Sequence, residues 1–199
     1  MSVVTISRQM GCLGTEIAHL VAEQLGYRLV WRELINEAAI RSGTPEVALA
    51  AIDELGLLGI CPSPRACRKY RKAVETIVSE LAEKGEIVII GRAAQVILRN
   101  HKDAFHVRLI APKDIRIARV SHGLNISEEA ARAQVETSDR FRKSYLRKFY
   151  QVDWNDPALY HITLNTGYLL PEQAAQIICL SLRSFLNAPV PIMPVGKYA

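Results

Sequence analysis

Short apolar runs alternate along the chain with longer segments of helical period. Apolar, β-branched stretches at residues 3–7, 27–30, 87–90, 105–110 and 161–164 read as buried strands. Each is followed by a helical pattern. In residues 15–25, Ile17, Leu20, Val21 and Leu25 share one face and Gly26 stops the run, and longer patterns occupy 65–84, 127–148 and 171–186. Short β-branched strands, each leading into a helix, predict an α/β fold with a parallel sheet covered on both faces. Between residues 43 and 64 the pattern weakens into "TPEVALAAIDELGLLGICPSP", which reads as a small helix and a Gly- and Pro-broken turn inside a mobile subdomain. The tail beyond Ala188 carries Pro189, Pro191 and Pro194 without period and is expected to be irregular.

A chain of 199 residues, 49% hydrophobic and 23% charged, suits one core with an inserted subdomain. No apolar run approaches the roughly 18 residues of a membrane helix, and the start leads straight into a strand, so no membrane association and a cytoplasmic location are expected. Cys12, Cys61, Cys67 and Cys179 lack metal-site spacing and disulfide-scaffold density, which predicts reduced thiols. A net charge of +5 admits a polyanion or a small phosphorylated ligand as partner.

Chemistry concentrates first in "SRQMGCLGTEIAHL". Closely spaced glycines between a strand and a helix let backbone N–H groups curl round an anion, and the helix adds the positive end of its dipole. Gly11, Cys12, Gly14 and Thr15 are therefore the candidate phosphate-binding residues. The Walker pattern is nevertheless broken. With Gly14 in the lysine slot, Thr15 takes the magnesium-ligand slot; one register along, Gly14 is the last glycine and Thr15 occupies the lysine position. Neither register supplies a lysine. A triphosphate still needs a cation, and Arg8, at the end of the first strand, is the nearest one able to fold back over the loop. Cys12, at a helix amino end, is expected to have a lowered thiol pKa and to be shielded from alkylation by nucleotide.

The stretches "ISRQMGCLGTEIAHLVAEQLG", "WRELINEAA", "EIVIIGRAAQVIL", "FHVRLIAPKDIRIARV", "SDRFRKSYLRKFY" and "VDWNDPALYHITLNTGYLLPEQAAQII" together resemble the cytidylate kinase-like family, a divergent branch of the nucleoside monophosphate kinases. That resemblance implies a three-layer P-loop kinase fold with a five-stranded parallel sheet in the order 2-3-1-4-5. It places the domain at residues 1–188, with a monophosphate-binding region at about 32–84, a lid at about 124–156 and an irregular tail at 189–199. It implies transfer of the γ-phosphoryl group of ATP, with Mg2+, to a nucleoside monophosphate or related small acceptor. Family loops also lack the lysine, but they usually read G-S-G-G where this chain has Cys12 and Leu13, and carry Asp where it has Trp31.

Phosphoryl transfer spreads charge over several oxygens, so arginines are the residues to follow. Arg92 ends the run "EIVIIG" at the ligand-facing edge of the sheet. The resemblance puts it on the acceptor's phosphate, with Ala93 where the base-reading Asp is expected. Arg140 and Arg142 resemble lid arginines that swing over the phosphates. On a helix Arg142 points away from the face shared by Arg140, Lys143 and Arg147. Arg32 and Arg41 flank the region where these kinases hold the acceptor phosphate, and Asn165 and Thr166 fall near the adenine loop. "RACRKYRK" offers a second basic cluster, in which Tyr70 adds a stacking face. "DWNDP" reads as structural turn chemistry, and the scattered histidines carry no catalytic assignment. Two other classes fit the same residues: a nucleotide-binding regulator without turnover, and a nucleic-acid-binding module that contacts backbone without sequence selectivity.

Overall fold

The computed structural model describes residues 2–31, 36–38, 40–41, 43 and 64–187. The small helix and turn expected over 44–63 and the irregular tail lie outside the described residues. Five strands, β1 (Val3–Arg8), β2 (Arg28–Val30), β3 (Ile87–Ile90), β4 (Ala104–Ile110) and β5 (Ile162–Asn165), form one sheet in the order β2-β3-β1-β4-β5. Every pairing is parallel. Helices among the described residues include α1 (Gly14–Leu25), α2 (Pro64–Lys84), the single turn α3 (Ala94–Ile97), α4 (Lys113–Leu124), α5 (Glu128–Tyr150) and α6 (Pro171–Asn187), with a 3-10 turn at Pro157–Leu159. The expected sheet order and strand positions hold to within a residue or so.

β1 is buried at every position because both sheet faces are covered, and its β-branched residues 3–6 run without the apolar-in, polar-out alternation of a one-sided sheet. On one face Val4, Ile6, Val88, Ile90 and Val107 pack against Ile17 and Val21 of α1 and Ile178 and Leu182 of α6. On the other, Val3, Ile87 and Ile89 meet Val74, Ile77 and Val78 of α2. Each fully buried Ile or Leu contributes about 1.5–3 kcal/mol. Tyr70 belongs to this second layer and is 2% exposed. It therefore offers no stacking face to a nucleic acid, contrary to the sequence expectation, while Arg65, Arg68, Lys69 and Lys72 stay exposed.

α4 and α5 pack on each other through Ile117, Val120, Ala131 and Val135, with Met10 of the first loop against them. Ser127 caps α5, its side chain accepting from the Ala130 N–H. Past α5, the "DWNDP" turn is tied into the sheet. The indole Nε1 of Trp154 donates to Ser7 Oγ at 2.9 Å, Arg108 Nη2 donates to Asn155 Oδ1 at 2.7 Å, and the Arg108 guanidinium lies 4.8 Å from the Trp154 ring centroid. The turn is structural, as its chemistry suggested. Among the described residues no helix is long and apolar enough to cross a membrane.

Two of the histidines come together across β4 and β5. The backbone N–H of His106 donates to His161 Nδ1, Thr5 Oγ1 and His106 Nδ1 are 2.8 Å apart, and the two imidazoles stack with centroids 5.0 Å apart. Burial, followed by repulsion from His161, holds the His106 pKa down to about 4, and burial lowers that of His161 as well. Folding thus favours the neutral rings. Below the unfolded value of roughly 6.5 the unfolded chain binds more protons, so stability is complete above it and is lost as pH falls toward 4. Equilibrium unfolding between pH 7 and 4.5 should show His106 contributing a loss of up to about 3 kcal/mol. His106→Gln should flatten that slope.

Candidate active site

Residues 9–13 carry the chain from the carboxyl end of β1 into α1. Gly11 has φ +80° and Leu13 φ +59°. A Cβ on Gly11 would lie 2.6 Å from the Arg116 carbonyl oxygen, and one on Gly14 would lie 2.7 Å from Arg8 Cβ and Cγ, so both positions require glycine. No side chain caps α1 at Leu13. The Gly14 N–H donates to the Cys12 sulfur, and Thr15 and Glu16 of the first turn line the cleft ahead of the helix.

The loop's carbonyl oxygens are held from outside. Arg142 Nη1 donates to Arg8 O at 2.7 Å, Arg116 Nη1 to Met10 O at 3.2 Å, Arg119 Nη1 to Gly11 O at 3.5 Å, and Thr166 Oγ1 to Cys12 O at 2.9 Å. The carbonyl and N–H of one trans peptide point in opposite directions. Arg116 and Thr166, which bond the oxygens of residues 10 and 12, do not line the cleft, so the N–H groups of Gly11 and Leu13 on the same peptides turn the opposite way. Arg116 is itself held by Asp139, at 2.9 Å and 3.3 Å. The phosphate loop is thus fastened to α4, α5 and the end of β5 together.

A cleft of about 460 Å³ opens here, walled by the loop together with Thr15, Arg8, Arg119 and Arg142. It lies at the carboxyl end of β1, the strand at which the order reverses and where open α/β sheets place their ligands, while Arg92, after β3, is not part of its wall. Arg8 is 8% exposed and folds back over the loop: its stem crosses Gly14, its Nη1 rests against Gly91, and its Cζ lies 5.8 Å from the Trp31 ring centroid. Burial lowers the Arg142 pKa to about 10, with repulsion from Arg116 and Arg92 adding to the shift, and the group stays cationic at neutral pH. Cations crowded into a partly desolvated crevice favour a polyanionic occupant.

Gly91, Arg92 and Ala93 all have positive φ, at 70°, 55° and 55°. Two successive non-glycine residues in that region cost of order 1–3 kcal/mol each, a concentration of strain typical of functional turns. Arg92 is partly buried and its charge acts on Arg142, Tyr70 and Tyr145. Ala93 is 5% exposed within an apolar cluster with Val96, Leu146, Trp154 and Tyr160.

Of the residues singled out in the sequence, Arg8, Gly11, Gly14, Thr15 and Arg142 meet in the cleft wall. Arg140 does not: it is exposed and donates to Thr137 Oγ1 at 3.3 Å, one turn back on α5. Arg142 is already docked on the Arg8 carbonyl rather than free to swing. Arg41 is exposed and paired with Glu37 at 2.6 Å and Glu80 at 2.8 Å, outside the cleft wall. Arg32 lies outside the described residues. Arg116, Arg119 and Asp139 were not singled out. The spacing of the two arginines at i and i+3 on a helix that follows a strand end was the available signal.

The thiol of Cys12 departs from expectation. Its side chain is fully buried in the apolar layer between sheet, α1 and α6, and desolvation pushes its pKa up, outweighing the opposing pull of Arg142 and Arg8. The loop turns the Cys12 side chain into the core, and residue 12 is not part of the cleft wall. Cys12 should resist iodoacetamide at pH 7.5 with or without nucleotide, and label fully once the chain is unfolded. Peptide mass spectrometry reads this directly, and rapid labelling in the folded state would contradict the buried placement.

Residues 3–168 match the cytidylate kinase-like family. A protein of Pyrobaculum calidifontis named cytidylate kinase is 29% identical over 188 residues, covering 92% of this chain and 96% of its own. Among solved structures, a protein from Eubacterium ventriosum superposes with a TM-score of 0.73 at 22% identity, covering 92% of this chain and 99% of its own. The shikimate kinase of Acinetobacter baumannii gives 0.55 at 16% identity, covering 92% and 94%. These neighbours share the P-loop kinase fold. With the strand order, the glycine loop without a lysine and a match extending from β1 to just beyond β5, the chain belongs to the cytidylate kinase-like family.

Proposed function

We propose that the protein is an ATP-dependent phosphotransferase that moves the γ-phosphoryl group to a nucleoside monophosphate or a related small acceptor. The observation that supports this most directly is the convergence of an uncapped helix start, outward-fastened loop carbonyls, Arg8 and Arg142 on one cleft at the switch point of the sheet. In this reading the loop amides hold the β-phosphate. Arg8 takes the part of the missing lysine, its planar fork gripping two oxygens where lysine offers a point charge. Arg142 adds charge next to it as the transferred group loosens from its leaving oxygen.

Thr15 supplies the hydroxyl suited to the Mg2+ that accompanies ATP. Magnesium takes hard oxygen ligands, keeps several waters and draws the rest from phosphates, so one protein hydroxyl suffices. Among the described residues no group of three or more His, Cys, Asp or Glu side chains is arranged to hold a metal. The ion would neutralise developing charge on the bridging phosphate oxygens.

Arg92 is the residue proposed to meet the acceptor's phosphate, with Arg32 and Arg41 contributing from the neighbouring region. Ala93, buried among apolar side chains, brings no hydrogen-bonding group to a base. The acceptor is accordingly held through its phosphate more than through a cytosine edge, which predicts broad acceptance among monophosphates. The exposed basic face of α2 contacts nucleic acid only weakly and in a salt-dependent way in this reading.

A coupled ADP-release assay with ATP, Mg2+ and a panel of nucleoside monophosphates tests the proposal. Turnover with at least one acceptor is expected, and CMP should not exceed the others by more than about tenfold, since no polar reader stands at residue 93. ATP that binds and protects against heat without any turnover would instead favour the regulatory reading. Arg8→Ala should lower kcat/KM for ATP by roughly two to three powers of ten, and Arg8→Lys should recover part of it. Parent-like kinetics for Arg8→Ala, with unchanged stability, would remove Arg8 from the mechanism.

A further inference from the structure

The Arg8 side chain is enclosed on three sides. Gly14 lies under its stem and Gly91 against its Nη1, each so close that a Cβ there would stand 2.7 Å away. The absence of a Cβ at both positions makes room for the arginine. The third wall is Trp31, one residue past the end of β2. In register with β3, Val30 stands beside Ile89, which brings Trp31 level with Ile90 and the turn that follows. Its ring packs against the apolar layer beneath the sheet, lines the same cleft as Arg8, and faces the guanidinium at 5.8 Å.

An arginine stem samples many rotamers, whereas a fork that must meet two phosphate oxygens tolerates little misorientation. An aromatic face attracts a guanidinium that lies over it, and the Trp31 ring lies 5.8 Å from the Arg8 guanidinium. We propose that Trp31 is a positioning residue: its ring holds the Arg8 guanidinium in the orientation from which it meets the triphosphate. This rests on the assignment of Arg8 to the phosphates made above. A purely space-filling Trp31 would affect stability without separating ring face from bulk.

Two variants and two readouts test it. Trp31→Phe keeps an aromatic face and should retain most of the rate. Trp31→Leu keeps apolar bulk without the face and should lower kcat/KM for ATP about tenfold. In an Arg8→Ala background the Leu change should have little further effect, because there is no guanidinium left to orient. Equal kinetics for the Phe and Leu variants would overturn the proposal.

The second readout needs no turnover. The chain has 2 tryptophans, so 5-fluorotryptophan labelling gives two fluorine resonances, assigned through Trp31→Phe. Arg8→Lys should move the Trp31 resonance more than that of Trp154, and an unmoved Trp31 signal would overturn the contact. Should the parent protein phosphorylate no acceptor, the phosphotransfer reading fails by itself. Calorimetry with ATP and Mg2+ then decides Trp31: about tenfold weaker binding for the Leu variant than for the Phe variant is expected, and equal affinities would refute its role.

Discussion

The turn between β1 and α1 has its peptide oxygens occupied from outside. Donors from three separate elements, Arg142 on α5, Arg116 and Arg119 on α4, and Thr166 after β5, hold the carbonyls of Arg8, Met10, Gly11 and Cys12. Without those partners the polar oxygens would compete for water or for the loop's own N–H groups, and no fixed cradle of donors would face the cleft. In the proposed reading a loop lacking a lysine depends on this arrangement, since amides and Arg8 would supply what an ammonium group otherwise brings.

That fastening constrains how the protein can move. A lid helix whose arginines enter only on closure would leave its cationic side chains in solvent beforehand, and Arg140 does point outward. Arg142 and Asp139 do not behave that way. One bonds the strand end, the other grips Arg116, and the apolar seam of Ile117, Val120, Ala131 and Val135 lies along the same helix pair. Motion of α5 relative to the loop would break hydrogen bonds to charged groups, typically 1.5–3 kcal/mol each. Rearrangement on binding is therefore expected at the exposed flank of α5 that carries Arg140, with the seam left intact.

The cost of gathering arginines in a crevice is visible in Arg142, whose pKa burial and neighbouring cations pull down to about 10. Arg116 is compensated by the Asp139 carboxylate, and the Arg8 guanidinium lies over the Trp31 indole. The strained turn of Gly91, Arg92 and Ala93 adds to the unfavourable terms at the same place. Destabilisation concentrated at one crevice, while the layers on both sheet faces remain fully packed, is the pattern of a site preorganised for a polyanion.

Much of the fold was legible because its signals are local. Short β-branched runs marked the strands of a sheet covered on both faces, Gly26 marked the end of α1, and the glycines at 11 and 14 marked the loop. The candidate role of Arg8 could also be read, since it needed only a residue at the end of a strand beside that loop. What lies far apart in the chain could not be read. Arg116 and Asp139 are 23 residues apart, and Arg142 and Arg8 are 134 apart. Nothing in either segment names its partner. Side-chain direction was equally hidden: one turn of α5 sends Arg140 to solvent and Arg142 inward, and the loop turns the Cys12 thiol into the core, where desolvation reverses the pKa shift expected from its place at a helix start. The sequence by itself determined the elements, their order and the loop. Only the tertiary structure decided which oxygens are tied back, which cations face the cleft and which thiol is buried, because burial and hydrogen-bond partners arise when distant segments pack together.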